Sequence, residues 1–235
     1  MPIPIAFQSA PATPFTYVTH FLAIAGLVLV LVWTLHFRGG FAWDAENKNL
    51  IFNLHPFLML VGFIVIGGEA IISYKSLPFR KDVNKLIHLV LHAIAIILGI
   101  VGIYTAFKYH NESGIANLYS LHSWLGIGII VLYFIQWLYG FVVFFYPGGS
   151  GSLRGGSLPW HVVFGITVFA LAVGNASLGL LEKLTFLESS GLAKYGSEAF
   201  LVNFTAIVTI LFGVFVILSV LSEGPAQGDH SYSAI

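Results

Sequence analysis

Nine histidines and no cysteine set the chemistry open to this 235-residue chain. Without cysteine it has no disulfide, no cysteine-held zinc, no cysteine-ligated iron–sulfur cluster and no covalently attached c-type haem. Any redox group must be held by other ligands, and histidines are the supply. His55, His88, His122 and His161 each open one of four successive apolar segments. A neutral imidazole offers one nitrogen to a metal and donates its other N–H to the protein. Two such rings, from facing helices at matched depth, fill both axial positions of a b-type haem. Iron held that way has no open site for oxygen, so its chemistry is outer-sphere electron transfer.

The elements that must position these residues are membrane spans. The chain is 57% hydrophobic and only 9% charged, with mean hydropathy +0.90, whereas soluble domains carry about 25% charged residues. Six apolar segments fall at roughly 17–35, 55–74, 86–107, 121–146, 160–181 and 200–221, each close to the about 20 residues that a spanning helix needs. The expected fold is all-α, a polytopic bundle of six transmembrane helices. Residues 1–222 read as one domain and 223–235 as a polar, disordered tail. A formal net charge of zero gives no sign of a nucleic-acid partner. The N-terminus lacks a basic n-region, so no cleavable signal pattern is expected.

Six spans put both termini on one side. Lys75, Arg80, Lys81, Lys85 and Arg154 then share that side, and Arg38, Lys48, Lys108, Lys183 and Lys194 share the other. This even division leaves the positive-inside rule silent on orientation. The sequon Asn111-Glu112-Ser113 would favour a lumenal second loop if glycosylated.

Successive spans run in opposite directions, which forces a pairing by depth. His55 meets His122 near one face, and His88 meets His161 near the other. The cross pairs are separated by most of the bilayer at ~1.5 Å per residue. Two such pairs stack two haems across the membrane. The spacings within the two hairpins, 33 and 39 residues, resemble a duplication, although the sequences between the histidines match poorly. A single histidine at a span end is ordinarily interfacial. Four at the ends of four consecutive spans call for a function, as ionisable residues inside a membrane generally do.

Helix 3 offers two histidines. His161 follows Pro159-Trp160, placing it in the first turn of helix 5, and its partner should be equally shallow. His92 lies about 6 Å deeper than His88 at ~1.5 Å per residue, so His88 is the expected ligand and His92 lines the pocket or hydrogen-bonds within it. A rival reading makes His88 and His92 an i,i+4 metal pair, but no third ligand stands near in sequence. His20 and His36 are expected at the interface, His110 in the second loop on the face of His55 and His122, and His230 in the tail.

His55-Pro56, HLVLH at 88–92, NLYSLHSW at 117–124, YPGGS at 146–150 and PWH at 159–161 together resemble the cytochrome b561 family. They are most similar to its plant ascorbate-dependent members, the transmembrane ascorbate-dependent reductases or ascorbate ferrireductases. The resemblance covers all six spans. It implies a homodimer with two haem b per chain, held in a four-helix core of helices 2–5 that helices 1 and 6 flank. It further implies an oxidoreductase that takes an electron from cytoplasmic ascorbate and delivers it to monodehydroascorbate or a ferric chelate on the lumenal side. Cytoplasmic termini and a multi-pass endomembrane location, the vacuolar membrane first, follow from the same resemblance.

Ascorbate is an anion at neutral pH and needs cations near the cytoplasmic haem edge. Lys81, Lys85 and Arg154 lie on that side, and family members carry basic residues at matching positions. Arg154 sits in GGSGSLRGGS, whose glycines let backbone approach a ligand. On the far side, His110 and Asn111 with Tyr119 and Ser120 would form the second pocket, where a neutral histidine can move the proton that accompanies ascorbate oxidation. Lys75 on the cytoplasmic side, and Asn117 and Tyr119 on the other, are candidate partners for haem propionates. Glu182 resembles an acidic position of the family near the far-side haem, although an acid repels a propionate unless protonated or bridged. Glu69 is a further buried acid, expected to pair with a nearby cation or donor. Two other readings stand beside this one. A haem-b subunit of a quinol-oxidising complex would need docking partners. A haem-free proton-coupled transporter or metal channel would use the histidines as a relay along broken helices, with Gly165, Gly174 and Asn175 in the fifth segment.

Overall fold

A computed structural model describes residues 12–222; the expected disordered tail, 223–235, and His230 lie outside the described residues. Six helices are long and apolar enough to cross a membrane: α1 (Ala12–Phe37), α2 (Asn49–Ser76), α3 (Lys81–Ser113), α4 (Leu121–Phe145), α5 (Gly151–Ser189) and α6 (Ser197–Leu221). No strand occurs among the described residues.

Several helices outrun their apolar segments. The 33 residues of α3 and the 39 of α5 reach about 50 Å and about 58 Å at ~1.5 Å per residue, against about 30 Å of hydrocarbon. Hydropathy marks the part in lipid and misses the polar extensions. The stretch PGGSGSLRGGSLP, expected as a loop, is therefore mostly the start of α5. Ser150 caps it, its Oγ accepting from the Leu153 N–H at 3.2 Å. The helix runs on through Pro159, which costs one backbone hydrogen bond. Arg154 thus rides on the first turn of a helix, and His161 lies nearly three turns into it rather than in the first turn. Likewise α3 continues to Ser113 and stops at Gly114, whose φ of +67° suits the left-handed C-terminal position. His110 and the Asn111 sequon are in its last turn and not in a loop. The start of α4 falls where expected, at Leu121, behind a capping box of Ser120 and Ser123.

In the bundle α1 packs on α6, α2 on α3, α4 on α5, and α6 also against α5 and α2. Small residues bring the backbones close: a Cβ at Gly68 would stand 2.5 Å from Phe212 of α6. Trp33, Ile64, Ile72, Phe169 and Phe212 are among the most deeply buried side chains.

The ends of the helices define two faces. Phe15 and Phe215 have ring centroids 6.3 Å apart, and Lys75 Nζ donates to the Ser222 carbonyl at 2.7 Å. The start of α1 and the ends of α2 and α6 therefore share one face, here the terminal face. On the opposite, distal face Arg38 at the end of α1 bonds Glu198 at the start of α6. Trp33 Nε1 donates to the same carboxylate at 2.9 Å. The α1–α2 connection is tied to α3 by Lys48, which meets Glu112 at 2.7 Å, and by Asp44, which lies 3.7 Å from Lys108. Glu69 finds its partner on α1, where His20 Nδ1 stands 2.9 Å from its carboxylate. His20 is thus paired rather than simply interfacial.

Candidate functional site: two histidine pairs on opposite faces

The helix directions bring the four histidines together in twos. His55 on α2 and His122 on α4 have ring centroids 6.1 Å apart near the distal face. His88 on α3 and His161 on α5 stand 6.3 Å apart toward the terminal face. Two metal–imidazole bonds of about 2 Å, plus about 1.1 Å from each nitrogen to its ring centre, require about 6.2 Å. Both pairs have the separation at which two imidazoles bind one iron from opposite sides.

Each ring is also oriented for that task. His55 Nδ1 donates to the Gly102 carbonyl at 2.9 Å, His88 Nδ1 to Ala70 at 2.8 Å and His122 Nδ1 to Asn175 at 2.9 Å. With the proton fixed on Nδ1, the Nε2 lone pair is left for a metal. The partner lies 14 residues beyond the histidine of the neighbouring helix in α3 and α5, and 15 residues beyond it in α2. The additional residue of α2 coincides with its π-helical stretch, Leu58–Val65, whose wider turns take up an insertion.

A repeat underlies this arrangement in α4 and α5. His122, Gly126, Gln136 and Gly140 on α4 recur 39 residues later as His161, Gly165, Asn175 and Gly179 on α5. The helices are antiparallel, so each histidine faces the last glycine of the other copy. A Cβ at Gly179 would stand 2.5 Å from the His122 ring, and one at Gly140 would stand 2.9 Å from the His161 ring. The spacing of 39 between the histidines is plain in the sequence, and the glycines and amides that recur with it are the signal for this cradle that the spacing alone does not convey.

The distal pair opens into a cavity of about 740 Å³. Its walls include His55, His122, His110, Asn117, Tyr119, Ser120 and Glu182, whereas Asn111, also expected in the second pocket, is exposed and not among them. Ser120 Oγ donates to Glu182 at 3.1 Å. Asn117 Nδ2 donates to the Asn111 side-chain oxygen at 2.7 Å, and the rings of His110 and Tyr119 are 6.2 Å apart. Burial, and then the Glu182 carboxylate and Tyr109, push the Tyr119 phenol up from its ordinary value, so it remains a donor at neutral pH. Two cations were missed as wall residues, Arg38 and Lys183. Lys183 Nζ lies 4.1 Å from the centre of the Phe52 ring. Its place beside Glu182, at the distal end of a span, was the available signal.

On the terminal face, Lys85 Nζ donates to the Phe144 carbonyl at 3.1 Å, and the Phe144 ring lies 5.2 Å from that of His161. Arg154 Nε is buried without a hydrogen-bond partner, which leaves a charged donor unused on this face. Lys81 is exposed at the start of α3. Lys75 bonds the Ser222 carbonyl at the end of α6, as described above. His92 has a different partner: its Nδ1 hydrogen-bonds the Tyr133 hydroxyl, while its ring touches His88 with centroids 4.4 Å apart. Among the described residues no cluster of three histidines or carboxylates forms around His88 and His92 to hold a bare metal ion.

Known proteins resemble the chain over nearly its whole length. The family model for eukaryotic cytochrome b561 matches residues 54–187. Transmembrane ascorbate ferrireductase 1 of Arabidopsis thaliana is 64% identical over 233 residues, covering 95% of this chain and 98% of the relative. Probable ascorbate-specific transmembrane electron transporter 1 of Oryza sativa subsp. japonica is 62% identical, covering 95% and 96%. A transmembrane ascorbate-dependent reductase of Mus musculus is 41% identical, covering 94% and 90%.

Proposed function

The chain belongs to the eukaryotic cytochrome b561 family, and from that premise we propose that it carries electrons from ascorbate at the terminal face to an acceptor at the distal face. It is a transmembrane oxidoreductase. Its acceptor is monodehydroascorbate or a ferric chelate. His55 with His122, and His88 with His161, would each hold one haem b, two per chain. A bis-histidine haem, when bound, supplies one-electron chemistry without an open coordination site. The observation that carries this reading is the ring separation in both pairs, which suits a shared iron twice over.

The remaining residues have definite work in this scheme. Lys81, Lys85 and Arg154 attract and orient the ascorbate anion at the terminal face. His110 and Tyr119 hold and exchange protons with the acceptor in the distal cavity. Asn117, Tyr119 and Glu182, the last bonded by Ser120, would border the propionates of a haem held at the distal pair, and Lys75 would be the corresponding terminal-face residue. The backbone carbonyls of Gly102, Ala70 and Asn175 fix the ring tautomers. The two pairs are about 21 Å apart along the helices, 14 residues at ~1.5 Å each, so they divide the bilayer into two short steps. The terminal face is then cytoplasmic and the distal face lumenal, in a homodimer of an endomembrane, foremost the vacuolar membrane. The haem-free transporter or channel is the less favoured reading, because α3, α4 and α5 run unbroken past the histidines.

An absorption spectrum of the purified protein, with haemochrome quantitation before and after ascorbate, tests the proposal. Two b haems per chain, reduced by ascorbate, are expected. A colourless protein from haem-replete cells would return the histidines to proton or metal transport.

A further inference from the structure

One histidine departs from the pattern of the other three. At the place on α4 where a backbone carbonyl would meet His161, the side chain of Gln136 intervenes. Its Nε2 lies 2.7 Å from the His161 carbonyl oxygen and 2.9 Å from His161 Nδ1. A carbonyl can only accept, so the amide presents its NH2 group there. The same NH2 group then faces Nδ1. To carry its proton on Nδ1 as the other three do, His161 needs the amide to turn its oxygen inward, at the loss of the bond to the His161 carbonyl. The Nδ1 of His161 is therefore the most weakly accepted of the four.

The surroundings are shaped around this contact. A Cβ at Gly165 would stand 3.5 Å from Gln136 Nε2, and one at Gly140 would press the His161 ring at 2.9 Å. Asn175, at the equivalent position of α5, is one methylene shorter. It offers its backbone carbonyl to His122 and leaves its own Oδ1 buried without a partner. The repeat has thus diverged at the residue that touches the ring.

We propose that Gln136 is a positioning residue that sets the electron-donating strength of His161, and through it the reduction potential of the terminal-face haem. This rests on the reading of His161 as an axial ligand. A strong acceptor at Nδ1 makes an imidazole more basic and favours oxidised iron; a weak one favours reduced iron. The haem nearest ascorbate is accordingly held ready to accept an electron.

Potentiometric titration of the holoprotein tests this with Gln136→Glu, which supplies a strong acceptor, and Gln136→Met, which removes even the weak acceptor that a turned amide oxygen offers, at similar volume. Gln136→Glu should lower one of the two midpoint potentials by roughly a tenfold change in its reduction equilibrium, about 59 mV for a one-electron couple. Gln136→Met should raise the same midpoint, and both should leave the other haem unchanged. If one variant fails to bind haem, the sign of the other still decides. Unchanged midpoints, or shifts of the same sign in both variants, would overturn the proposal and reduce Gln136 to packing. His161→Ala separates the two levels: loss of one haem supports the ligand reading, whereas retention of both overturns that reading and the role of Gln136 with it.

Discussion

Gly179 on α5 lies directly against the imidazole of His122 on α4, so closely that a Cβ at 179 would stand 2.5 Å from Cε1 and 2.9 Å from Nε2 of the ring. The ring can relieve such a contact only by leaving its station opposite His55. Gly179→Val is expected to reduce bound haem from two to about one per chain, read by haemochrome quantitation. Gly140→Val, against His161, should remove the other haem by the same means, and the double variant should bind neither.

His88 and His92 are neighbours on α3 with different partners. His88 faces His161, whereas His92 bonds Tyr133. His88→Ala should cost one haem. His92→Ala should retain both, with altered stability of the pocket because Tyr133 loses its buried hydrogen-bond partner, at about 1–3 kcal/mol. Haem stoichiometry of the two variants distinguishes them.

The cations of the terminal face should act on ascorbate and not on haem retention. Lys85→Ala or Arg154→Ala removes one charge-assisted contact, which is worth about 1.5–3 kcal/mol, so KM for ascorbate should rise by about tenfold or more in each. Reduction by dithionite, which does not depend on an ascorbate site, should be unchanged. Raising the salt concentration should weaken the wild type in the same direction.

Arg38, Trp33 and Glu198 form a buried cluster that closes α1 onto α6 at the distal face. Glu198 is 8% exposed and Arg38 23%. Removing Glu198 leaves the half-buried Arg38 and the Trp33 N–H without their acceptor, and Glu198→Ala should destabilise the protein by about 1–3 kcal/mol, measured as loss of folded protein on thermal challenge in detergent. Glu198→Ala with Arg38→Leu should recover part of that loss.

The number of spans and the pairing of histidines by depth were legible in the sequence, because both follow from apolar run length and alternating direction. What lay outside lipid was less legible. Gly151–Leu158 and Tyr109–Ser113 are helical without being apolar, so Arg154 and His110 read as loop residues although both ride on helices. The apolar run that contains His161 begins nine residues after the true start of its helix, yet depth still pairs His161 with His88, the residue that faces it. Contacts between residues distant in sequence left no local trace: Arg38 meets Glu198 across 160 positions, and His20 meets Glu69 across 49. The cradle of His122-Gly126-Gln136-Gly140 and its copy was written in the chain, but its matching positions are too sparse to stand out until the antiparallel helices bring them face to face.

The central claim is tested most directly in proteoliposomes that enclose ascorbate and are bathed in a membrane-impermeant ferric chelate. Reduction of the external chelate should require the protein and cease in His55→Ala and in His88→Ala, since either change breaks one of the two steps across the bilayer. A wild-type protein with both haems bound that leaves the external chelate oxidised would contradict the account.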